Sequence, residues 1–308
     1  MLSFQYPYHK IKYTWFDVSV FPFSGKNKGG LTRFFVHKRI YTVLTDIHRT
    51  SKITGILSFW CTECAWVGKK FADKHNLKHK IWIMGQDARA DNYYVKKIKP
   101  APAELAALSD FLQDEFEKNH AIRPEYVVPP GIDATEYPEK NVLRDIDIFG
   151  AGSLISLKQF SVFLKVVAEI KKELPTVKVV LHGKGPEKNK LKQAIKKLEL
   201  EDNVDLAGEV PHSDLLVQMK RAKVFLHPSS YEGFSGVCQE ALHAGVHVVS
   251  FCYAMNHPID QWHIVFDKKE MIKKTKQILQ NQSAEFKQVT PYLAEDSVRK
   301  IMKLFSGD

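Results

Sequence analysis

No run of eighteen apolar residues occurs in the 308-residue sequence, so no segment reads as a simple membrane-spanning helix. The start, MLSFQYPYHK, lacks the ordered charged, apolar and small-residue regions of a signal peptide, and the expectation is a cytoplasmic protein. In that compartment Asn281-Gln282-Ser283, which fits the N-glycosylation pattern, is a chance match. Cysteine is scarce: there are four, two of them in Cys61-Thr62-Glu63-Cys64. No second CxxC or HxxxH follows at finger spacing, which leaves a tetrahedral zinc site without half its ligands. ILSFWCTECAW does offer a strand running into a helix, the placement of a redox pair. The flanking tryptophans and a reducing compartment favour two reduced, packed thiols instead. Internal repeats, low-complexity tracts and any helix-turn-helix, zinc or RNP pattern are also missing, so nucleic acid is not an expected partner.

What is present is an apolar content of 44% with 11% aromatics, enough at this length for two packed cores. Formal net charge is +10, which favours phosphate-rich ligands or anionic surfaces without choosing among them. In KKELPTVK and EKNKLKQAIKK the lysines alternate with apolar residues at helical spacing and read as solvated helix faces. GKNKGG and the aromatic, basic YPYHKIKYTWF make the first half a candidate for contact with an anionic membrane carrying a lipid-linked acceptor.

The apolar pattern predicts a strand over 14–23, a helix from Leu31 to Arg49, a strand in ITGILSFW, a helix through VGKKFADKH and a buried strand in KIWIMG. Ser109 is placed to cap a helix with Asp110 in its first turn, and EYVVPPGID is a strand stopped by prolines and a glycine. Pro129 to Pro138 reads as a linker. Beyond it, strand and helix patterns alternate from DIDIFGAGS to VHVVSF, the signature of a parallel sheet covered by helices on both faces. Thr290-Pro291 and YLAEDSVRKIMKLF predict a terminal amphipathic helix with Pro in its first turn.

In an open parallel sheet, ligands sit beyond the carboxyl ends of the strands. Four strand ends carry glycine turns: Gly150-Ala151-Gly152-Ser153 with Lys158 following, Gly183-Lys184-Gly185-Pro186, Gly208 after VDLA, and Ser229 to Val237 opening a helix that carries Glu240. Such turns aim unpaired backbone N–H groups at one point, where the helix dipole also favours an anion, and so form a pyrophosphate cradle. Glu232 in the loop and Glu240 in the helix are seven residues apart and can face one cleft. Two carboxylates beside a phosphate are useful only as acceptors for hydroxyls, on a sugar and on a ribose.

HPSSYEGFSGVCQEALHAGVHVVSF resembles the E-x7-E block of glycosyltransferase family 4, and the likeness runs back in order through FLHPSS, VDLAGEV, VVLHGKGPE, GAGSLISLK, VVPPGID and LAALSDFL. The resemblance implies an α/β fold of GT-B type, two Rossmann-like domains with parallel sheets facing across a cleft. Residues 1–133, with the helix 290–308 joined to them, would form the acceptor-side domain, its first βα unit missing or altered, as in an amino-terminally shortened member. Residues 134–289 would bind the nucleotide-sugar. By position, Glu232 and Lys158 are the implied catalytic residues: Glu232 contacts the transferred sugar and Lys158 neutralises the diphosphate. Glu240 holds the ribose, the backbone of Gly233, Phe234, Ser235, Gly236 and Val237 caps the phosphates, and Glu209 and Val210 lie at the base. Gly152, Ser153, Gly183 and Gly185 complete the donor-binding set. Three positions depart from the family: Ser153 stands for its arginine, Gln159 for its glycine and His247 for its proline. A family histidine is replaced after KIWIMG by Gly85-Gln86-Asp87, which makes Gln86 and Asp87 candidate acceptor contacts, beside the plain reading of a polar turn.

The implied activity is retaining transfer from a UDP- or GDP-sugar to a saccharide or lipid-linked hydroxyl, with no cofactor. Asp145-Ile146-Asp147 imitates a metal-binding D-x-D but lies at a strand beginning, the wrong end for the cleft, so metal independence is expected. The rivals are a sugar-nucleotide epimerase, a phosphorylase, for which no cofactor-lysine motif is present, and a noncatalytic nucleotide-sugar-binding protein.

Overall fold

The computed structural model describes residues 1–5, 12–15, 18–24, 29, 31–137 and 142–306. Most of the GKNKGG and YPYHKIKYTWF segments lies outside them. The chain divides into two units, Met1–Ile83 with Ala90–Ala106, and Met84–Arg89 with Ala107–Asp308.

In the first unit, β1 (Leu2–Gln5), β2 (Tyr13–Trp15) and β3 (Val18–Ser24) form a small sheet in the order β1-β3-β2. The single strand expected over 14–23 is therefore two strands, paired antiparallel with Trp15 opposite Val18. Alternation over ten residues does not by itself distinguish one long strand from two paired ones. Then come α1 (Leu31–Ser51), β4 (Gly55–Phe59), α2 (Glu63–His75), β5 (Lys78–Ile83), α3 (Tyr93–Ile98) and β6 (Leu105–Ala107). β4 and β5 pair in parallel, with Leu57 beside Lys80. Phe23, Ile40, Leu44, Val67 and Phe71 make this unit's core.

The second unit begins with the short 3-10 turn Gly85–Ala88, followed by α4 (Asp110–His120) and β7 (Tyr126–Val127). Ser109 caps α4 as its position predicts, its Oγ accepting the Leu112 N–H at 3.0 Å. Next are β8 (Ile146–Ala151), α5 (Phe160–Lys171), β9 (Val179–His182), α6 (Lys188–Lys197), β10 (Val204–Gly208), α7 (His212–Lys220), β11 (Ala222–His227), α8 (Gly236–His243) and β12 (His247–Ser250). β13 (Trp262–Ile264) and α9 (Lys268–Gln280) extend the rhythm, and α10 (Ala294–Ser306) closes the chain. α10 starts three residues beyond Pro291, because Ile132 and Leu293 first form a parallel bridge. Ser297 Oγ then donates to the Pro129 carbonyl at 2.7 Å, fixing the helix to the segment before residue 133.

The six strands β10-β9-β8-β11-β12-β13 form one sheet in which every pairing is parallel. Phe160, Phe163, Leu164, Val167 and Ile170 of α5 are almost fully buried and pack with Leu181, Val224 and Leu226 of the strands. β9 and β10 lie on one side of β8 and β11 on the other, so chain order reverses between β8 and β11. Such a switch point opens a crevice between the two following loops.

The glycine turns brace one another. Gly183 has φ +150°, and a Cβ on it would stand 2.0 Å from the Gly152 carbonyl oxygen. Gly183→Ala is therefore expected to cost about 2–4 kcal/mol from strain and overpacking. Urea denaturation measures it, and an unchanged midpoint would show that the two turns can part without loss.

Candidate active site

The loops after β8 and β11 bring their charged side chains together at the switch point. After β8 a 3-10 turn, Ser156–Lys158, leads into α5. Gln159, at the position where the family has glycine, adopts φ +50°, a left-handed conformation that a side chain disfavours by roughly 1–2 kcal/mol. That conformation turns the chain sharply between Lys158 and α5. The HPSS turn after β11 is fastened to the same place: the Leu157 carbonyl accepts the Ser230 N–H at 3.0 Å and the Ser229 and Ser230 hydroxyls at 3.3 and 3.2 Å.

Across this junction Lys158 Nζ donates to Glu232 Oε1. His227, the last residue of β11, lies with Nε2 3.2 Å from the same oxygen. The imidazole side chain is only 3% exposed, against 19% for Lys158 and 17% for Glu232. Burial alone would raise the Glu232 pKa, but the His227 hydrogen bond and the Lys158 charge outweigh it and hold the carboxyl down at about 2. Burial lowers the His227 pKa against the opposing pull of Glu232, so the ring is neutral at neutral pH. An ionised carboxylate only accepts, which places the proton of His227 on Nε2.

Glu240 stands in the second turn of α8 and meets His212 at the start of α7, Nε2 to Oε1 at 3.0 Å. Ser235, the N-cap of α8, makes no side-chain cap bond, so the N–H groups of Gly236, Val237 and Cys238 have neither an i−4 partner nor that cap. Phe234 is buried against Trp262 and Tyr292, leaving only its backbone to face a ligand. Gly236 is exposed, Val237 half-buried. Exposed Glu209 pairs with Lys184 of the second glycine turn at 2.5 Å, and Val210 beside it is half-buried.

Two glycine amides expected in a phosphate cradle are already engaged. The Gly152 N–H donates to the His182 carbonyl at 3.1 Å and the Gly183 N–H to the Gly208 carbonyl at 2.8 Å. At these turns glycine serves close backbone packing, as also at Gly185, where a Cβ would stand 2.5 Å from the Leu154 oxygen. Ser153 is exposed. The Asp145-Ile146-Asp147 imitation of a D-x-D is engaged in ion pairs: Asp145 binds Arg221 at 2.6–2.8 Å and Asp147 binds Lys223 at 2.8 Å.

The turn after β5 reaches the same loop. A Cβ on Gly233 would stand 2.7 Å from Gly85 Cα, and the Tyr231 hydroxyl donates to the Gly85 carbonyl at 2.8 Å. Gln86 next to it is exposed. Asp87 is 1% exposed and accepts the Met84 N–H at 2.8 Å, so of the two candidate acceptor contacts its carboxylate holds the turn and only Gln86 faces outward. Among the family departures, His247 has replaced proline with a polar bridge, Nδ1 to His263 at 3.1 Å and Nε2 to the Glu285 carbonyl at 3.0 Å. His227, His212 and Tyr231 were not singled out by the sequence reading; the one signal for His227 was its place at a strand end, directly before the PSS turn.

Solved structures share this architecture. Anabaena HepE in complex with UDP and glucose superposes with a TM-score of 0.72 at 17% identity, covering 95% of this chain and 87% of that one. The pneumococcal O-GlcNAc transferase GtfA, in complex with UDP and GlcNAc, gives 0.66 at 17% identity over 92% of this chain and 62% of its own. The fold is thus the GT-B class of α/β architecture. The model of the family glycosyl transferases group 1 matches residues 133–287, half of the chain, and the chain belongs to that family. Among curated relatives, the gpi3 subunit of phosphatidylinositol N-acetylglucosaminyltransferase from Schizosaccharomyces pombe is 31% identical over 40% of this chain and 28% of its own. The 2-deoxystreptamine N-acetyl-D-glucosaminyltransferase of Niallia circulans is 28% identical over 56% of this chain and 42% of its own. The matches thus span less than half the length of these two relatives.

Because the folded-state pKa of Glu232 is depressed, its ion pair contributes stability that is complete above the ordinary carboxylate range and is lost as pH falls toward about 2. The stability difference between the wild type and Glu232→Gln should therefore shrink between pH 5 and pH 3 in chemical denaturation. A difference that stays constant over that range would show that Glu232 is not held ionised by its neighbours.

Proposed function

We propose that this chain is a retaining, metal-independent glycosyltransferase that moves a sugar from a nucleotide donor to a hydroxyl of a saccharide or lipid-linked acceptor. The observation that carries the reading is the meeting of Lys158 and Glu232 at the switch point, with His227 behind them and the uncapped start of α8 beside them. In this reading the diphosphate lies on the α8 backbone from Gly233 to Val237 with Lys158 as its cation, Glu240 holds the ribose, and Glu209 and Val210 flank the base. Glu232 accepts a hydroxyl of the transferred sugar.

Charge accumulates on the leaving diphosphate as the glycosidic bond breaks, so preorganised N–H donors and a lysine supply the stabilisation with no group that must first ionise. That charge balance supports metal independence, and so does the commitment of Asp145 and Asp147 to ion pairs at the strand starts. Glu232, held well below the ordinary carboxylate range, is a weak base and nucleophile, which supports transfer without a covalent intermediate on it. UDP, rather than GDP, is favoured by the two superposed structures determined with UDP, and N-acetylglucosamine by the names of the relatives. Gln86 is the proposed acceptor contact. The family span 133–287 supports residues 134–289 as the donor domain. Contact of the basic amino-terminal half with the inner face of an anionic membrane belongs to the same proposal. Ser153, which leaves the β8 turn without the family's arginine, favours a second reading as a noncatalytic nucleotide-sugar-binding protein.

Calorimetric titration of UDP, GDP and UDP-N-acetylglucosamine, without metal, decides the donor. UDP is expected to bind and to weaken about tenfold or more in Glu240→Ala, the loss of a hydrogen bond to a charged group. Failure of every nucleotide to bind would remove the donor site. Binding without transfer or donor hydrolysis would select the second reading.

A further inference from the structure

We infer that His227 is a positioning residue that orients Glu232 toward the transferred sugar once the donor has drawn Lys158 away. The inference rests on the donor-site reading above. In the structure both partners of Glu232 contact one oxygen: Lys158 Nζ and His227 Nε2 converge on Oε1. Oε2 has no hydrogen bond among the described residues. Lys158 sits on a long, half-buried side chain with a compact, mobile charge, and a diphosphate carrying two negative charges at the start of α8 competes for it directly. His227 has no such freedom. It is the last residue of a central strand, its ring is 3% exposed, and it stacks on Phe225 at 5.9 Å and 22°.

When the lysine turns to the phosphates, the imidazole N–H therefore remains as the fixed bond to Oε1. It holds the carboxylate plane so that Oε2 is the oxygen presented to a sugar hydroxyl. The His227 bond does a second thing: it keeps a partly buried carboxylate charged after its lysine has left. Among the described residues, the thiols of Cys238 in α8 and Cys252 after β12 also lie close enough to this carboxylate to feel its charge. Burial pushes both thiols up, Cys252 to about 12, so both are neutral and neither replaces the lysine.

The test compares His227→Leu, which removes the donor, with His227→Gln, whose amide N–H can reach the same oxygen. UDP binding is read by calorimetry, and turnover by transfer or by hydrolysis of UDP-N-acetylglucosamine. His227→Leu should bind UDP within about twofold of the wild type but lose kcat by about 10- to 100-fold, the worth of one hydrogen bond to a charged group. Its acid limb of kcat should move to higher pH as Glu232 becomes easier to protonate, and His227→Gln should recover most of the rate. Wild-type protein that binds no UDP and turns over no donor would sink the donor-site reading itself. Wild-type turnover, with His227→Leu unchanged in kcat and in acid limb, would overturn the role of His227 alone. Equal losses in His227→Leu and His227→Gln, with UDP binding lost in both, would mark a packing residue and also overturn it.

Discussion

Parallel pairing of β8 with β11 is the constraint on which the site depends. Parallel strands end at one edge of a sheet, and each must be followed by a crossover that begins there. With β9 and β10 built out on one side of β8 and β11 on the other, the loops that follow β8 and β11 part in opposite directions and leave a crevice between them. Lys158 stands on one loop, Glu232 on the other, and His227 at the strand end between them. β11 pairs with β8 as far as Phe225 and Phe149, and two residues on His227 ends the strand with its ring buried against Glu232. Lys158 lies 74 residues from Glu232 in sequence, whereas His227 precedes Glu232 by only five.

What the local conformation does instead is stop the backbone from filling the crevice. Gly152, Gly183 and Gly185 let two turns pack carbonyl against Cα, and Gly85 and Gly233 do the same between the turn after β5 and the loop of Glu232. Gln159 reaches its left-handed conformation without the help of glycine. The cost is local, while the direction of the chain into α5 is kept. His247 trades the rigidity of proline for two hydrogen bonds at the far end of β12. The His247 bonds reach β13 and the segment after α9, whereas Ser153 offers no charge in place of the family's arginine, which in the proposed reading leaves Lys158 and the α8 backbone to meet the diphosphate.

The second half of the fold was legible in the sequence because each βα unit repeats a buried strand, a glycine turn and an amphipathic helix. Its elements fall within a few residues of where DIDIFGAGS through VHVVSF place them. β13 and α9 escaped because WHI is too short for periodicity to register and KKEMIKKTKQILQ is dominated by lysine. The division into β2 and β3 escaped because period-2 alternation looks the same in one strand and in two. Around the site, charge and glycine content pointed to the right loops but not to the partners. Glycines read as phosphate cradles proved partly to be packing devices, Asp87 proved to be buried, and His227 and His212 became visible only when non-neighbouring strands and helices met. A linear sequence displays which groups have chemistry. Which of them face one another is decided by strand order.

The proposed electrostatic logic of the crevice is an exchange: a lysine held by a carboxylate, which would move to a diphosphate that carries more charge. The most direct test is a crystal structure of the UDP complex. The expected result has the diphosphate on the N–H groups that open α8, Lys158 Nζ moved from Glu232 to a phosphate oxygen, the ribose on Glu240, and Glu232 still bound to His227. A nucleotide seated away from α8, or a Lys158 that stays on Glu232 with the diphosphate in place, would contradict it.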